Sequence, residues 1–172
     1  MNLRMTNTRR NKLRQVNESD RGSWCLFIKL DNTCGLKLYH TMQMRDATFK
    51  GQEIAAENGL APQIGVKFDL NEKDTADLIN RLKSSSLPYY VKEAKYLFGY
   101  TTEVVDTDTT KIPDDHGEDL IAKLKSIGFY TNDFIGAQVN MGITKQGKLV
   151  CFDFDAGNCY NYYLKNRIGP IV

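Results

Sequence analysis

The stretch that decides the fold is Gly147-Lys148-Leu149-Val150-Cys151-Phe152-Asp153-Phe154-Asp155. A turn signal at Gln146-Gly147 precedes it, and the nearly continuous apolar run from Lys148 to Phe154 predicts a strand. Two acidic residues, Asp153 and Asp155, close this stretch. Either both carboxylates alternate outward at a strand end, or the strand delivers Asp153 to a functional site. The segments that lie before the strand bear on that choice.

The rest of the chain predicts a mixture of strands and helices. Two apolar segments, Trp24–Leu30 and Gly35–Tyr39, flank the turn signal Asp31-Asn32-Thr33 and predict an antiparallel hairpin. Gly59 is expected to end a helix and Asn71 to begin one. This order of elements indicates an α+β fold. The predicted helices cover Arg45–Asn58, Asn71–Lys83 and Asp115–Gly128. Besides the hairpin and the strand before Asp155, predicted strands cover Ile64–Phe68, Tyr96–Val105 and Val139–Thr144.

Length and composition indicate one globular domain. The chain has 172 residues, of which 41% are hydrophobic and 26% charged, and this balance argues against a disordered or fibrous protein. No apolar run approaches the ~18–20 residues of a membrane span, and the basic N-terminus lacks the apolar stretch of a secretory signal. We therefore expect a cytoplasmic protein with no membrane partner, in which the four cysteines are reduced thiols.

Charge is spread unevenly along the chain. Residues 1–16 carry five basic residues and no acidic one, whereas residues 17–172 hold all 21 acidic residues. We therefore divide the chain into a basic N-terminal arm, residues 1–16, and a single domain, residues 17–172. The arm suits either a nucleic-acid partner or a solvated start or short amphipathic helix. The second interpretation is favoured, because the acidic remainder shows no basic patch with interleaved aromatic residues.

Five segments, taken in order, resemble the protein-kinase-like fold, with most likeness to small kinase-like proteins of the aminoglycoside-phosphotransferase and phage type. The likeness spans about residues 22–157. It implies a β-rich N-terminal lobe over about residues 17–105 and a reduced C-terminal lobe over about residues 106–172, since only 17 residues follow Asp155. The segments are Gly35–Tyr39, Gln52–Pro62, Gly99–Val105, Gly128–Asp133 followed by Val139–Gly142, and Gly147–Asp155.

The first two segments concern the phosphates of ATP. Lys37 lies where the family has the strand lysine that holds the α- and β-phosphates. An acid on the following helix normally pairs with that lysine. Counting back from Pro62 reaches Gln52, with Glu53 one residue later, and both remain candidates.

The third and fifth segments concern adenine and metal. Gly99–Val105 resembles the strand that leads into the interlobe hinge, so the resemblance implies that Glu103 and Val105 bind ATP where backbone groups hold adenine. Asp153 followed by Phe154 resembles the start of the Asp-Phe-Gly motif. The resemblance therefore implies that Asp153 binds magnesium.

The fourth segment resembles the catalytic loop. Asp133 matches the aspartate that accepts the proton of the substrate hydroxyl. The family's second magnesium ligand is an asparagine further on, and its usual spacing lands on Gln138. Asn140 is preferred, because it fits the start of the next strand and lies 13 residues before Asp153, close to the family separation.

The leading hypothesis is a kinase-like protein that binds magnesium and ATP between two lobes and transfers the γ-phosphoryl group to an unidentified hydroxyl. The alternative is a pseudokinase, a catalytically inactive relative that binds a protein partner, for example as a viral accessory or structural protein of phage type in the host cytoplasm. Two departures from the family favour the alternative. Asn132 replaces the residue that normally precedes the aspartate, and Asp155 stands where the motif has glycine.

Overall fold

A computed structural model describes residues 3–13, 15, 20, 21, 25–82, 97–112, 114–129 and 140–154. These residues form a mixed α+β structure with antiparallel sheets, which confirms the predicted class. The chain divides into two compact units. Unit 1 contains the residues up to Arg45 together with Ile64–Val104, and unit 2 contains Asp46–Gln63 together with the residues from Val105 onward.

Unit 1 is built on a five-stranded antiparallel sheet. Its strands are β1 (Asp20–Arg21), β2 (Leu26–Lys29), β3 (Cys34–Tyr39), β4 (Ile64–Asp69) and β5 (Phe98–Glu103). Their spatial order is β1-β2-β3-β5-β4, so β3 is the central strand. The predicted hairpin is confirmed as the antiparallel pair β2 and β3.

Asp31 fixes the turn between β2 and β3. Its carboxylate accepts hydrogen bonds from the N–H groups of Thr33 (2.8 Å) and Cys34 (2.9 Å) and from the Thr33 hydroxyl (2.6 Å). Arg9 Nε donates to the second carboxylate oxygen at 3.3 Å. Burial raises the pKa of Asp31, but the hydrogen bonds from Thr33, Arg9 and Cys34 outweigh this effect and hold the pKa well below its usual range.

The basic N-terminal segment packs on this sheet. Helix α1, Asn7–Leu13, agrees with the expectation of a short amphipathic helix. Leu3 and Leu13 are buried in the apolar cluster of unit 1, and the Leu3 carbonyl accepts a hydrogen bond from Thr101 Oγ1 in β5 at 2.5 Å. Arg9 is buried and binds Asp31 within unit 1, whereas Arg4, Arg10 and Lys12 are exposed.

Helix α3, Glu72–Arg81, completes the described part of unit 1. Asn71 caps it as predicted, because its Oδ1 accepts a hydrogen bond from the Asp74 N–H at 2.8 Å. Leu78 of this helix is fully buried in the same apolar cluster as Leu36 and Leu38 of β3.

Helix α2, Met42–Glu57, lies between β3 and β4 in the chain. Its first turn belongs to unit 1, where the Arg45 guanidinium binds the Asp69 carboxylate at 2.5 Å and lies 5.6 Å from the centre of the Phe98 ring. From Asp46 onward the helix belongs to unit 2. The predicted end of the helix is confirmed at Gly59, whose φ of 70° is the left-handed conformation that glycine adopts readily.

Unit 2 also contains helix α4, Asp114–Ser126, and a hairpin of β6, Met141–Ile143, and β7, Leu149–Cys151. The strand predicted over Lys148–Phe154 is therefore shorter than expected. No helix within the described ranges has both the length and the apolar character needed to cross a membrane. The buried side chains of unit 2 form one cluster that includes Ala55, Ala56, Leu60, Leu120, Leu124, Phe129, Met141, Cys151 and Phe154.

Candidate functional site

The hairpin of β6 and β7 places two of the predicted magnesium ligands at the same end. Its strands pair antiparallel, with Met141 opposite Cys151. One residue beyond this pair, the Phe152 N–H donates to the Asn140 carbonyl at 3.0 Å. Asn140 and Asp153 therefore lie at the same open end of the hairpin, and both are partly exposed.

The position of Asp153 is restrained on both sides along the chain. Before it, the Cys151 N–H donates to the Leu60 carbonyl at 2.9 Å. After it, Phe154 is 1% exposed, and its ring meets the Phe129 ring edge to face with 5.4 Å between centres. A buried aromatic side chain and a strand anchor thus hold an acidic residue that is itself partly exposed.

The chemistry of this hairpin end suits a hard cation. Asp153 supplies carboxylate oxygens and Asn140 an amide oxygen, and magnesium prefers oxygen ligands. Magnesium is commonly held by one or two carboxylates together with substrate phosphates, so a small protein donor set is sufficient. In the part of the chain that the structure describes, no group of three or more His, Cys, Asp or Glu side chains is arranged to hold a metal ion.

Lys37 occupies the middle of the central strand of unit 1. It lies opposite Phe27 of β2 and Tyr100 of β5. Its neighbours Leu36 and Leu38 point into the apolar cluster, so Lys37 lies on the other face of the sheet. Lys37 is only 7% exposed, and lysine is seldom buried to this degree unless its ammonium group is paired.

Gln52 and Glu53, the two candidates on α2, have different surroundings. Gln52 is fully buried, and its Nε2 donates to the Pro62 carbonyl at 3.1 Å. Glu53 is partly exposed, and its carboxylate binds Lys50 Nζ at 2.5 Å on the same helix. Adjacent helix positions point about 100° apart, which is why the two side chains differ so strongly.

Glu103 and Val105 lie where the chain passes from unit 1 to unit 2. Glu103 is the last residue of β5 and is buried, whereas Val105 is partly exposed. The residue between them, Val104, donates its N–H to the Thr33 carbonyl at 3.3 Å. The segment is therefore fixed to unit 1 at this point.

Asp106 continues this segment into unit 2. Its N–H and carbonyl exchange hydrogen bonds with Ile143 of β6 at 2.9 and 2.8 Å. The hydrogen bond from Lys111 Nζ, together with one from the Asp108 N–H, lowers the pKa of Asp106. The same contact raises the pKa of Lys111.

The predicted base and the alternative magnesium residue lie outside the described residues. Asp133 and Gln138 both belong to residues 130–139, and Asp155 lies beyond the last described residue. The structure therefore places Asn140 and Asp153 at the same end of the hairpin, and the roles of both residues and of Asp133 stay predictions.

Sequence reasoning missed two contacts that organise these residues. One joins Cys151 to Leu60, and the other joins Gln52 to Pro62. The helix-ending Gly59 was a signal for the turn in which Leu60 and Pro62 lie, but nothing local indicates which distant group each carbonyl binds.

The chain was compared with protein families, curated proteins and solved structures, and none of them matches it.

Proposed function

We propose that this chain is a kinase-like protein that binds Mg·ATP and transfers the γ-phosphoryl group to a hydroxyl. The observation that carries the proposal is the shared position of Asn140 and Asp153 at the end of the hairpin. In protein kinases an asparagine of the catalytic loop and the aspartate of the Asp-Phe-Gly motif hold the metal. Here a hairpin carries an asparagine before its first strand and an Asp-Phe pair after its second strand. This arrangement supports the proposal that Asn140 and Asp153 bind the metal.

The order of elements around Lys37 gives further support. In protein kinases the phosphate-holding lysine lies on the third strand, and a helix follows it in the chain. Lys37 lies on β3, and α2 follows in the chain. Its burial on a central strand also separates it from the common surface lysine that faces water.

Each residue has a defined role in the proposed reaction. Lys37 holds the phosphates by its positive charge, and Asp153 with Asn140 holds magnesium, which neutralises the charge that develops during transfer. Asp133 orients the hydroxyl and accepts its proton as the oxygen attacks the γ-phosphorus. The bond to the β-phosphate oxygen breaks, and ADP leaves.

Thermal unfolding with and without millimolar Mg·ATP tests nucleotide binding. A ligand present at 100 times its Kd stabilises the folded state by about 2.7 kcal/mol, which for a chain of this size raises Tm by several degrees. We expect this shift in the wild type, its loss when EDTA removes the metal, and its loss in Asp153→Ala. The matched control is Asp119→Ala, which removes an exposed carboxylate on α4. An equal shift in both variants contradicts the assignment of Asp153.

Asp133→Asn then separates an enzyme from a binding protein. If Asp133 accepts the proton, the variant keeps the Mg·ATP shift and loses consumption of ATP in a phosphate-release or ADP-formation assay. Unchanged ATP consumption would show that Asp133 is not the base. These assays work without knowing the natural hydroxyl acceptor, provided that water or a hydroxyl of the protein itself accepts the phosphoryl group.

A second candidate function is that of a pseudokinase that binds a protein partner. The specific observation is the ion pair of Glu53 with Lys50 on the surface of α2. Glu53 is one of the two residues that the resemblance assigns to orient Lys37, and its carboxylate here binds Lys50. Gln52, the other, is uncharged and cannot form an ion pair. This function predicts no consumption of ATP by the wild type, and biological activity that persists in Asp133→Asn.

A further inference from the structure

Helix α2 ends in a tight turn, Gly59–Pro62, which we call the cap turn. The Gly59 N–H bonds the Ala56 carbonyl at 2.9 Å, and the Leu60 N–H bonds the Ala55 carbonyl at 2.7 Å. This pair of hydrogen bonds around a glycine with positive φ is a Schellman motif. Leu60 and Ala55 also share the apolar cluster of unit 2, so both hydrogen bonding and burial define the turn.

The cap turn anchors β7. Phe152 donates to Asn140, and hydrogen-bonding directions alternate along an antiparallel strand, so the N–H of Cys151 points away from β6. That N–H donates to the Leu60 carbonyl at 2.9 Å. Because Asp153 follows Cys151 by two residues, the cap turn sets the position of the strand that carries the proposed magnesium ligand.

Gln52 in turn holds the cap turn. Its Nε2 donates to the Pro62 carbonyl at 3.1 Å, and Gln52 is 0% exposed. A buried carbonyl or amide group costs free energy when it lacks a hydrogen-bond partner. The Pro62 carbonyl and the Gln52 amide provide such a partner for each other. An ionised glutamate has no hydrogen to donate, so it could not make this contact.

We propose that Gln52 is a positioning residue for the magnesium site: it holds the cap turn, the cap turn holds β7, and β7 carries Asp153. The inference rests on the proposed function for its link to magnesium. It assigns Gln52 a role different from that of the acid that pairs with the strand lysine in the family. It also accounts for an amide at a position where that acid was expected.

The test compares Gln52→Met and Gln52→Glu with matched changes at Gln43. Methionine keeps the length of the side chain and its helix propensity but removes the donor, while glutamate keeps polarity and loses the donor when ionised. Gln43 lies exposed near the start of α2, so Gln43→Met and Gln43→Glu make the same substitutions away from the cap turn. Either Gln52 variant suffices if the other fails to fold.

Two measurements on the folded proteins report positioning. Amide hydrogen exchange of residues 149–153 follows the anchoring of β7 without any ligand. Paramagnetic resonance of Mn²⁺, which substitutes for magnesium, gives the affinity of the metal in the presence of ATP. A purely structural role for Gln52 would lower Tm and speed exchange throughout unit 2, without a particular increase at residues 149–153 and without a change in the Mn²⁺ affinity of the folded protein.

We expect faster exchange at residues 149–153 and Mn²⁺ affinity weakened about tenfold in the Gln52 variants, the size of effect seen when groups that support metal ligands are removed. The Gln43 variants should match the wild type. Unchanged exchange and unchanged affinity in the Gln52 variants would overturn the inference. If the wild type itself binds no Mn²⁺ with ATP, the proposed function fails, while the exchange data still decide whether Gln52 holds β7.

Discussion

Lys37 and Asp153, the residues proposed to hold phosphate and metal, are held in place in different ways. Lys37 lies in the central strand of a five-stranded sheet and has a paired strand on each side. Asp153 follows a two-stranded hairpin of three-residue strands, and within the described residues a backbone hydrogen bond from Cys151 to Leu60 ties that hairpin to the end of α2.

The difference predicts how each position responds to change. A ladder on both sides distributes the restraint on Lys37 over many backbone hydrogen bonds, so no single side chain controls it. The restraint on Asp153 includes two identifiable contacts next to it along the chain: the cap turn before it and the buried ring of Phe154 after it. Substitutions at those contacts should therefore move Asp153 more easily than any one substitution moves Lys37.

The largest effect is expected for Phe154→Ala. Phe154 is 1% exposed and packs against Phe129, and truncation of a buried phenylalanine typically costs about 3–5 kcal/mol of unfolding free energy. Urea unfolding measures the loss, and hydrogen exchange should rise at residues 149–153. Phe154→Leu keeps most of the volume and should cost much less. A loss below about 1 kcal/mol in Phe154→Ala would show that the ring does not hold this segment.

Gly99→Ala tests the opposite side of the comparison, the sheet around Lys37. A Cβ at Gly99 would lie 2.6 Å from both Leu38 Cδ2 and Phe68 Cζ and 3.0 Å from the Lys37 carbonyl oxygen. Overpacking of this kind costs about 1–3 kcal/mol, measured by urea unfolding.

Gly117→Ala in α4 is the matched control for Gly99→Ala. Among the described residues its Cβ would meet Met141, at an ordinary contact distance of 3.5 Å, and alanine favours the helix over glycine by about 0.5–1 kcal/mol. We therefore expect this variant to be more stable than the wild type. Equal destabilisation by both substitutions would contradict the close packing of β5 against β3 and β4.

Asp31→Asn tests the anchor of the β2–β3 turn through pH. The pKa of Asp31 is lower in the folded state than in the unfolded state, so the carboxylate stabilises the fold above the unfolded value of about 3.9, and this contribution is lost as pH falls below it. We expect the urea midpoint of the wild type to fall between pH 6 and pH 3, and that of Asp31→Asn to fall less.

At pH 7 the same variant should be less stable by about 1–2 kcal/mol, since its hydrogen bonds no longer go to a charged group and an NH2 group, which cannot accept from Arg9, replaces one carboxylate oxygen. Asp119→Asn, which changes an exposed carboxylate, is the control. Parallel pH profiles for the wild type and Asp31→Asn would exclude Asp31 as the group that titrates.

The caps and turns could be predicted from the sequence, because the residue that each one needs is local. A glycine suits the positive φ at Gly59, an asparagine side chain reaches the N–H groups of the turn that follows Asn71, and an aspartate closes the turn at Asp31. The α+β class follows from the periodicity of the same segments. These features depend on neighbours a few residues away.

Contacts between distant segments could not be predicted. Arg9 binds Asp31 across 22 residues, and the burial of Lys37 depends on the strands that flank it. The different surroundings of Gln52 and Glu53 depend on how the helix is oriented about its axis. Adjacent positions point about 100° apart, so the sequence alone does not show which of the two side chains is buried. The preference for Asn140 over Gln138 and the role of Asp133 remain predictions, because Gln138 and Asp133 lie outside the described residues.

Gly147→Ala, at the opposite end of the hairpin from Asp153, is expected to lower stability about as much as Asp31→Asn does. Gly147 has a φ of 77°, and no atom of the described residues lies within 4 Å of a Cβ built there, so the cost is conformational and amounts to about 1–2 kcal/mol. Gly147→Asn should recover much of it, because asparagine adopts positive φ more readily. Urea unfolding measures both variants.

Gly147→Ala also separates the two ways in which the hairpin end could be located. If the cap turn and Phe154 position Asp153, then strain at the far turn lowers stability without changing the affinity for Mn²⁺ in the presence of ATP. If the hairpin's own turn sets its register and through it the position of Asp153, then stability and affinity fall together. Loss of affinity in Gly147→Ala, with the Gln52 variants unaffected, would place control of Asp153 in the turn rather than at the end of α2.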